Sequence, residues 1–527
     1  VLTIVGGIIY GFHYWQSHQN DYFKKRNIPH HNSSALFGPF LGLLFGKKHV
    51  LYIFNDMYKE FPDEKFSGFF QFGKPAYMIR DLELIKHICI KDFNHFVNHQ
   101  MVIDIDADPI FGRNLFFTRD QLWKHTRSII SPAFTGSKMR LMFTLMTNYC
   151  EKAVKMLADD ANNSAMEIEL KDLTNRFGND IIASISFGIE LDSVHDRNNE
   201  FFLNGKRLAK FDGFASTKMF LYGIFPKFFK FFKIPILDQK SVEFLEKIVL
   251  EQIKYREENN IVRHDMINIM MQAKRNELKA EKSDKKLDSA GFATTEDQDV
   301  GDGDSGITKE WTDTDIVAQS VTFFFGGFET TSSLTCFVAH LLAVHTDVQE
   351  KLRSEVDAVL QSLDGGQLTY EHIQKMKYLD MVVTETLRLH PPQGSTDRVC
   401  SKEYEMTTSD GTVVKVHPGD AVVIPSYPIQ IDGKYYPNPD KFDPERFSDE
   451  NKHLVDPRTF LIFGLGPRNC VGSRFALMQV KAIIFHIVAA FFIEMSPKTQ
   501  HPIKLRTNTF MIDAENGFWV NLRPRST

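Results

Sequence analysis

Cysteine is scarce in this chain, with five in 527 residues. Cys89, Cys150, Cys336, Cys400 and Cys470 stand far apart, odd in number and without a Cys-x-x-Cys pair. That spacing excludes a disulfide scaffold and a structural zinc site, and it fits a reducing, cytosol-facing environment. An excess of either charge is also missing: 62 Lys and Arg against 67 Asp and Glu leave a formal charge of -5. With no basic footprint, no nucleic-acid partner is expected. A glycine-rich dinucleotide fingerprint is absent too, so the chain is not expected to hold its own nicotinamide cofactor. No internal repeat is evident. Two glycosylation sequons, at Asn32 and Asn162, bear on the protein only where those segments face a lumen.

Phenylalanine is abundant, with 47 residues. Such a content suits either an apolar core or an apolar ligand. Residues Val1 to Trp15 are largely apolar and Lys24-Lys25-Arg26 follow. A span needs about 20 apolar residues, so residues 1–15 read as a membrane anchor truncated at its start. The charges after it place the remainder on the cytosolic side. Residues 16–40, with Ile28-Pro29 and Gly38-Pro39, read as a hinge. Residues 41–527 form the globular body.

Helical periodicity dominates the middle of that body. Residues 273–310 are polar and aperiodic and read as a mobile surface connection. Thr312 with Asp315 resembles a capping box that opens a long apolar helix to Val344, and Thr346 with Gln349 resembles a second box. Short strands are expected at 404–408, 412–416 and 421–424, joined by turns. Residues 425–462 are Pro-rich and irregular, and a last helix runs from near Gly472 to about Phe492. The fold class is mainly α with a small β part.

Cys470 lies in Phe463-Gly464-Leu465-Gly466-Pro467-Arg468-Asn469-Cys470-Val471-Gly472. A thiolate is stabilised by cations and by the backbone N–H groups of a helix start. Arg468 is two residues away, a helix follows, and Gly466 and Gly472 permit tight turns and the approach of a flat ligand. Alone, such a cysteine is more often buried and inert.

Gly326-Gly327-Phe328-Glu329-Thr330-Thr331 interrupts the apolar helix. Each Gly costs about 1 kcal/mol relative to Ala, and helix packing accounts for one. The acid and the hydroxyls need a separate reason, because unpaired buried polar groups are costly. Glu385 and Arg388 are three apart on one helical face, a spacing usually seen in solvated pairs. Trp123 and Arg127 are four apart on another, where an amphipathic helix with a snorkelling Arg is the plain alternative. His95 and His99 share a zinc-compatible spacing, but no third ligand is apparent and their run, 92–99, reads as surface. The aromatic stretch 211–236 reads either as core or, with Lys218, Lys227, Lys230 and Lys233 interleaved, as a face dipping into a membrane interface.

The run Phe463, Gly466, Arg468, Cys470, Gly472 resembles the haem-binding signature of the cytochrome P-450 superfamily. The other motifs resemble that superfamily in the same order, over nearly the whole chain. Residues 92–99 and 393–400 are most similar to insect microsomal members of its ninth family, broad oxidisers of plant compounds and insecticides. The resemblance implies a single large haem-binding domain of the cytochrome P-450 fold, with haem b (iron protoporphyrin IX) on Cys470. It implies propionate contacts from Trp123, Arg127, Arg398 and Arg468, and a cofactor-contacting Phe463. Thr330 would hydrogen-bond dioxygen and Glu329 would help relay protons, where the family more often has Asp. Glu385, Arg388 and Arg446 would form a buried scaffold trio.

The activity implied is insertion of one oxygen atom from O2 into small apolar substrates at the endoplasmic reticulum membrane. Electrons would come from an NADPH-dependent flavoprotein reductase, with cytochrome b5 as a second candidate donor. Substrate contacts are expected in 101–117, 211–232, 316–325 and 393–396, from family position. Two rivals stand beside this reading: a haem-thiolate isomerase or dehydratase needing no reductase, against which Thr330 counts, and a non-catalytic carrier of apolar ligands.

Overall fold

The apolar run after Thr312 folds as one helix of 32 residues, Asp313–Val344, in the computed structural model. The structure describes residues 21–525 apart from 35, 211–212, 264, 276, 278–290, 294–309 and 508. The anchor 1–15 and most of the connection 273–310 therefore lie outside the described residues. Thr312 caps the long helix as its sequence suggests: its hydroxyl accepts from Asp315 N, and the Asp315 carboxylate accepts from Thr312 N. Along its length the helix is buried by its neighbours, above all by the helix Leu170–Phe187 and by Ser473–Ala490. Leu170–Phe187 is buried along most of its own length too, which explains why it shows no clean polar face.

The second expected capping box does not form. Thr346 is the first helical residue of Thr346–Leu363, after a His345 that makes no side-chain cap. Gln349 instead bonds Leu342 O and Ile493 O, at 2.9 and 2.8 Å. Burial offers its amide better partners than an exposed helix start would.

The β part is small. A four-stranded sheet runs in the order Phe66–Gln71, Lys74–Ile79, Ala421–Ile424, Thr396–Val399. The first pair is an antiparallel hairpin, the middle pair is parallel, and Thr396–Val399 lies antiparallel at the edge with Arg398 opposite Val422. Tyr404–Thr407 and Val413–Val416 form the expected hairpin. The core has one large helical cluster and a second cluster built on the four-stranded sheet. Phe23, Ile28 and Phe40, from the stretch read as a hinge, are buried in that second cluster.

Within the polar connection, residues 291–293 are described and packed rather than free. Phe292 meets the rings of Phe447 and Phe460 at 4.8 and 5.6 Å, and its N–H donates to Asp380. The run 92–99 also differs from its reading as surface. Phe93, Phe96, Val97, Asn98 and His99 are all buried.

Candidate active site

Cys470 is exposed, whereas Cys89, Cys150, Cys336 and Cys400 are buried. Its loop is closed by its own N–H, which donates to Phe463 O at 2.7 Å. Gly464 and Gly466 sit at φ +76° and +78°, a region where L side chains are strained. A Cβ on Gly466 would stand 1.8 Å from the carbonyl oxygen of Cys89, so this glycine is required twice. Gly472, expected to serve a turn of the same kind, has φ -95° and is the residue before the helix Ser473–Ala490. Gly464 carries that role instead, since the reversal is completed before the cysteine. The helix start then directs N–H groups toward the thiol's end of the loop.

The two glycines of the long helix divide their tasks. A Cβ on Gly327 would meet Ile182 Cδ1 at 2.4 Å, so Gly327 permits close helix packing. A Cβ on Gly326 would meet nothing within 4 Å. Gly326 thus marks an open face, which Thr330 shares one turn later, its hydroxyl donating to Gly326 O at 2.5 Å. Phe134 links this helix to the thiol loop: its ring is 5.8 Å from that of Phe323, and it would touch a Cβ on Gly472 at 3.8 Å. Glu329 turns elsewhere. Its carboxylate is 2.7 Å from Nζ of Lys171, which also donates to Ser333 Oγ at 2.6 Å. Burial acts most strongly on Lys171 and works against its charge, but the combined pull of Glu329, Cys336 and Asp513 holds its ammonium above the usual range.

Four cationic or donor side chains gather beside the loop. Trp123 and Arg127 lie on the helix Asp120–Ile130, and both are buried, so Arg127 does not snorkel. Arg127 donates to Asn469 O and Oδ1 at 2.8 and 2.7 Å, holding the residue before Cys470. Arg468 lies over the Trp123 ring at 4.4 Å and donates through Nη2 to Phe116 O and Thr118 O. Arg398 donates through Nη1 to Thr396 Oγ1 and Asp397 O. Nη1 of Arg468 and Nε of Arg398 are buried and have no hydrogen-bond partner among the described residues. Burial, then the charges of Arg398 and Arg127, hold Arg468 well below the usual guanidinium range. Buried donors without acceptors are costly, and guanidinium groups collected this way match carboxylates.

The scaffold trio is assembled as expected. Glu385 and Arg388, both fully buried, are joined by two bonds of 2.7 and 2.8 Å. Arg446 Nε lies 3.5 Å from Glu385 Oε1, and Arg388 also bonds Gln430 O. This buried network carries no chemistry of its own; it ties the helix Lys377–Leu389 to the irregular stretch that leads to Cys470.

Sequence reasoning missed Lys171 and Gly464. Lys171 lies 158 positions before its partner, in a run with no motif. Gly464 was legible from its place in the loop.

An exposed thiol at a helix start, an uncovered glycine face and buried guanidinium groups short of acceptors together fit a flat, iron-bearing group with acidic arms. The comparisons with known proteins agree. Residues 31–520 match the family model described as Cytochrome P450. Probable cytochrome P450 9f2 of Drosophila melanogaster is 42% identical over 523 residues, covering 98% of this chain and 97% of that protein. Cytochrome P450 9e2 of Blattella germanica is 40% identical over 521 residues, covering 96% and 94%. Cytochrome P450 6k1 of the same species is 33% identical over 98% of this chain and 95% of its own length. The chain belongs to the cytochrome P450 family.

Proposed function

We propose that this monooxygenase inserts one oxygen atom from O2 into small apolar molecules, xenobiotics among them, with electrons from an NADPH-dependent flavoprotein reductase. Cys470 would ligate the iron of its haem b through the thiolate, and Trp123, Arg127, Arg398, Arg468 and Phe463 would hold the cofactor. When bound, the haem supplies redox-active iron whose thiolate ligand favours O–O cleavage. The observation that carries the reading is the pair of buried, unsatisfied guanidinium nitrogens on Arg398 and Arg468 beside the thiol loop.

The chain's own residues then have distinct tasks. Arg127 fixes the loop through Asn469. Thr330 offers a hydroxyl on the open face of the long helix, its proton shared with Gly326 O until a better acceptor arrives. Glu329 places a carboxylate one residue away, paired with Lys171. Phe111, whose ring is 5.5 Å from Phe325 of the long helix, adds an apolar surface suited to apolar substrates.

The enzyme works at the endoplasmic reticulum membrane, anchored through residues 1–15, with residues 41–527 on the cytosolic face. Phe214 and Phe231 support this, at 83% and 80% exposure, with Phe225, Phe228 and Phe232 also exposed and lysines interleaved. Phe220 and Phe229 of the same stretch are buried, so it serves core and surface together. Among the described residues, the one helix long and apolar enough to cross a membrane is Ser473–Ala490, and it is mostly buried inside the fold.

Reducing the protein, adding carbon monoxide and recording the Soret band tests the reading. A thiolate-type red shift that disappears in Cys470→Ala is expected, as is NADPH oxidation on adding reductase and an apolar substrate. No shift would leave the carrier reading. A shift without NADPH use would favour an isomerase.

A further inference from the structure

His99 closes the run 92–99, whose backbone reaches the edge strand Thr396–Val399: Val399 N donates to Asn98 O at 2.8 Å. The His99 ring is only 5% exposed. It lies flat on Phe116, with ring centres 4.2 Å apart and planes inclined by 13°. Nδ1 is 3.0 Å from the Asp397 carbonyl oxygen and 3.2 Å from Asp397 Oδ1. Both are acceptors, so Nδ1 carries the hydrogen and Nε2 is left as the ring's other polar atom. Nε2 has no hydrogen-bond partner among the described residues.

Both neighbours of this ring lead to the unsatisfied cations. Asp397 precedes Arg398, whose Nε has no partner, and Phe116 gives its carbonyl to Arg468, whose Nη1 has none. The charged groups that act on the imidazole are Asp397 at Nδ1, Arg398 from the edge strand and Arg468 from the thiol loop. Burial comes first among the effects that hold the ring neutral; Asp397 opposes it, the Arg468 and Arg398 charges add to it, and the pKa is held down at about 4. A further positive charge here is unfavourable until a second acid joins Asp397 among them.

We propose that His99 is a further anchor for the acid groups of the haem, meeting through Nε2 the carboxylate that Arg398 Nε and Arg468 Nη1 also address. The inference rests on the haem reading above. A neighbouring carboxylate favours the protonated ring, so the contact gains strength as pH falls through the neutral range. An arginine at this place would show no such dependence.

The test is haem transfer from the holoenzyme to an excess of haem-free globin between pH 6 and 8.5. Wild type is compared with His99→Phe, which keeps the stacking, and His99→Arg, which keeps a donor. His99→Phe is expected to lose haem about tenfold faster at pH 6.5, the loss of one charge-assisted hydrogen bond. Wild-type loss should quicken with rising pH, and His99→Arg should be slow and flat. Equal rates in wild type and His99→Phe would overturn the proposal. So would equal acceleration in both variants, which would assign the ring to packing, or a wild-type rate independent of pH. The reduced carbon monoxide Soret band keeps the two readings apart: its absence from wild type overturns both, whereas its presence with any of those rates overturns this one alone.

Discussion

The carboxylate of Glu329 is bound to the ammonium of Lys171 at 2.7 Å, so the acid beside Thr330 is tied to the helix Leu170–Phe187. Both side chains are mostly buried, at 14% and 16% exposure. Removing one partner strands the other's charge, whereas removing both does not. Lys171→Met and Glu329→Gln are each expected to cost about 2 kcal/mol, and the double variant less than their sum. Thermal melts of the four proteins measure this cycle. Glu329→Gln should also slow product formation severalfold while Lys171→Met keeps most of it. The reverse order would mean that Glu329 is present for the ion pair alone.

Thr330 donates its hydroxyl to Gly326 O, one turn back on the open face. Thr330→Ala is expected to keep the reduced carbon monoxide band and the rate of NADPH use while product per NADPH falls severalfold. Thr330→Ser should restore much of that yield. If Thr330→Ala couples as well as wild type, the hydroxyl has no part in proton delivery.

Asp108 ties one segment expected to line the substrate, 101–117, to the end of the aromatic stretch 211–236. Its buried carboxylate accepts from Phe111 N at 2.9 Å, Ile236 N at 2.9 Å and Leu237 N at 3.2 Å. Lys230 bonds Asp104 at 2.8 Å across the same seam, which borders an open cleft of about 470 Å³ lined by Ile105, Pro109, Arg113 and Phe231. Asp108→Asn turns acceptors toward donors and should loosen the seam by about 1–3 kcal/mol. Stopped-flow spectra should show bulky apolar ligands binding several times faster, with little change for small ones. Identical association rates would make Asp108 a tie without bearing on access.

Histidines give the expected pH dependence. Burial pushes His340 down to about 4, with the charges of His501 and His345 adding to it, and pushes His390 to about 3. Both lie below the ordinary 6.5 of the unfolded chain. Unfolding therefore takes up protons below that value, so the stability from keeping them neutral is complete above pH 6.5 and falls as pH drops toward 4. Each contributes roughly 1 kcal/mol of loss per pH unit in that window. Melting temperatures at pH 7.5 and 5.5 should show the fall, and His340→Phe should flatten it.

Much of this was legible because the informative residues are close in sequence. The loop around Cys470 closes on itself from Phe463, and the box at Thr312 spans three residues, so neighbouring side chains decide both. Thr346 and Gln349 have the same local pattern but another outcome, because Ile493 offers Gln349 a buried carbonyl from 144 positions away. Lys171 was invisible for a similar reason: its chemistry is set by Glu329, which only folding brings near. His99 was misread as surface since its run carries polar residues whose partners, Asp397 and Asp120, come from other elements. Local pattern fixes elements and loops, while long-range pairing decides which polar groups are buried.

Gly466 answers to two separate demands, its left-handed backbone and the Cys89 carbonyl pressed against its missing side chain. Neither involves electron transfer or substrate. A descendant of this enzyme that gave up catalysis would be released from the selection that holds Thr330 and Arg398, and those positions would drift first. Gly466 would persist for as long as the chain folded, so its survival in a lineage is a record of shape, and the loss of Thr330 beside it would mark where the chemistry ended.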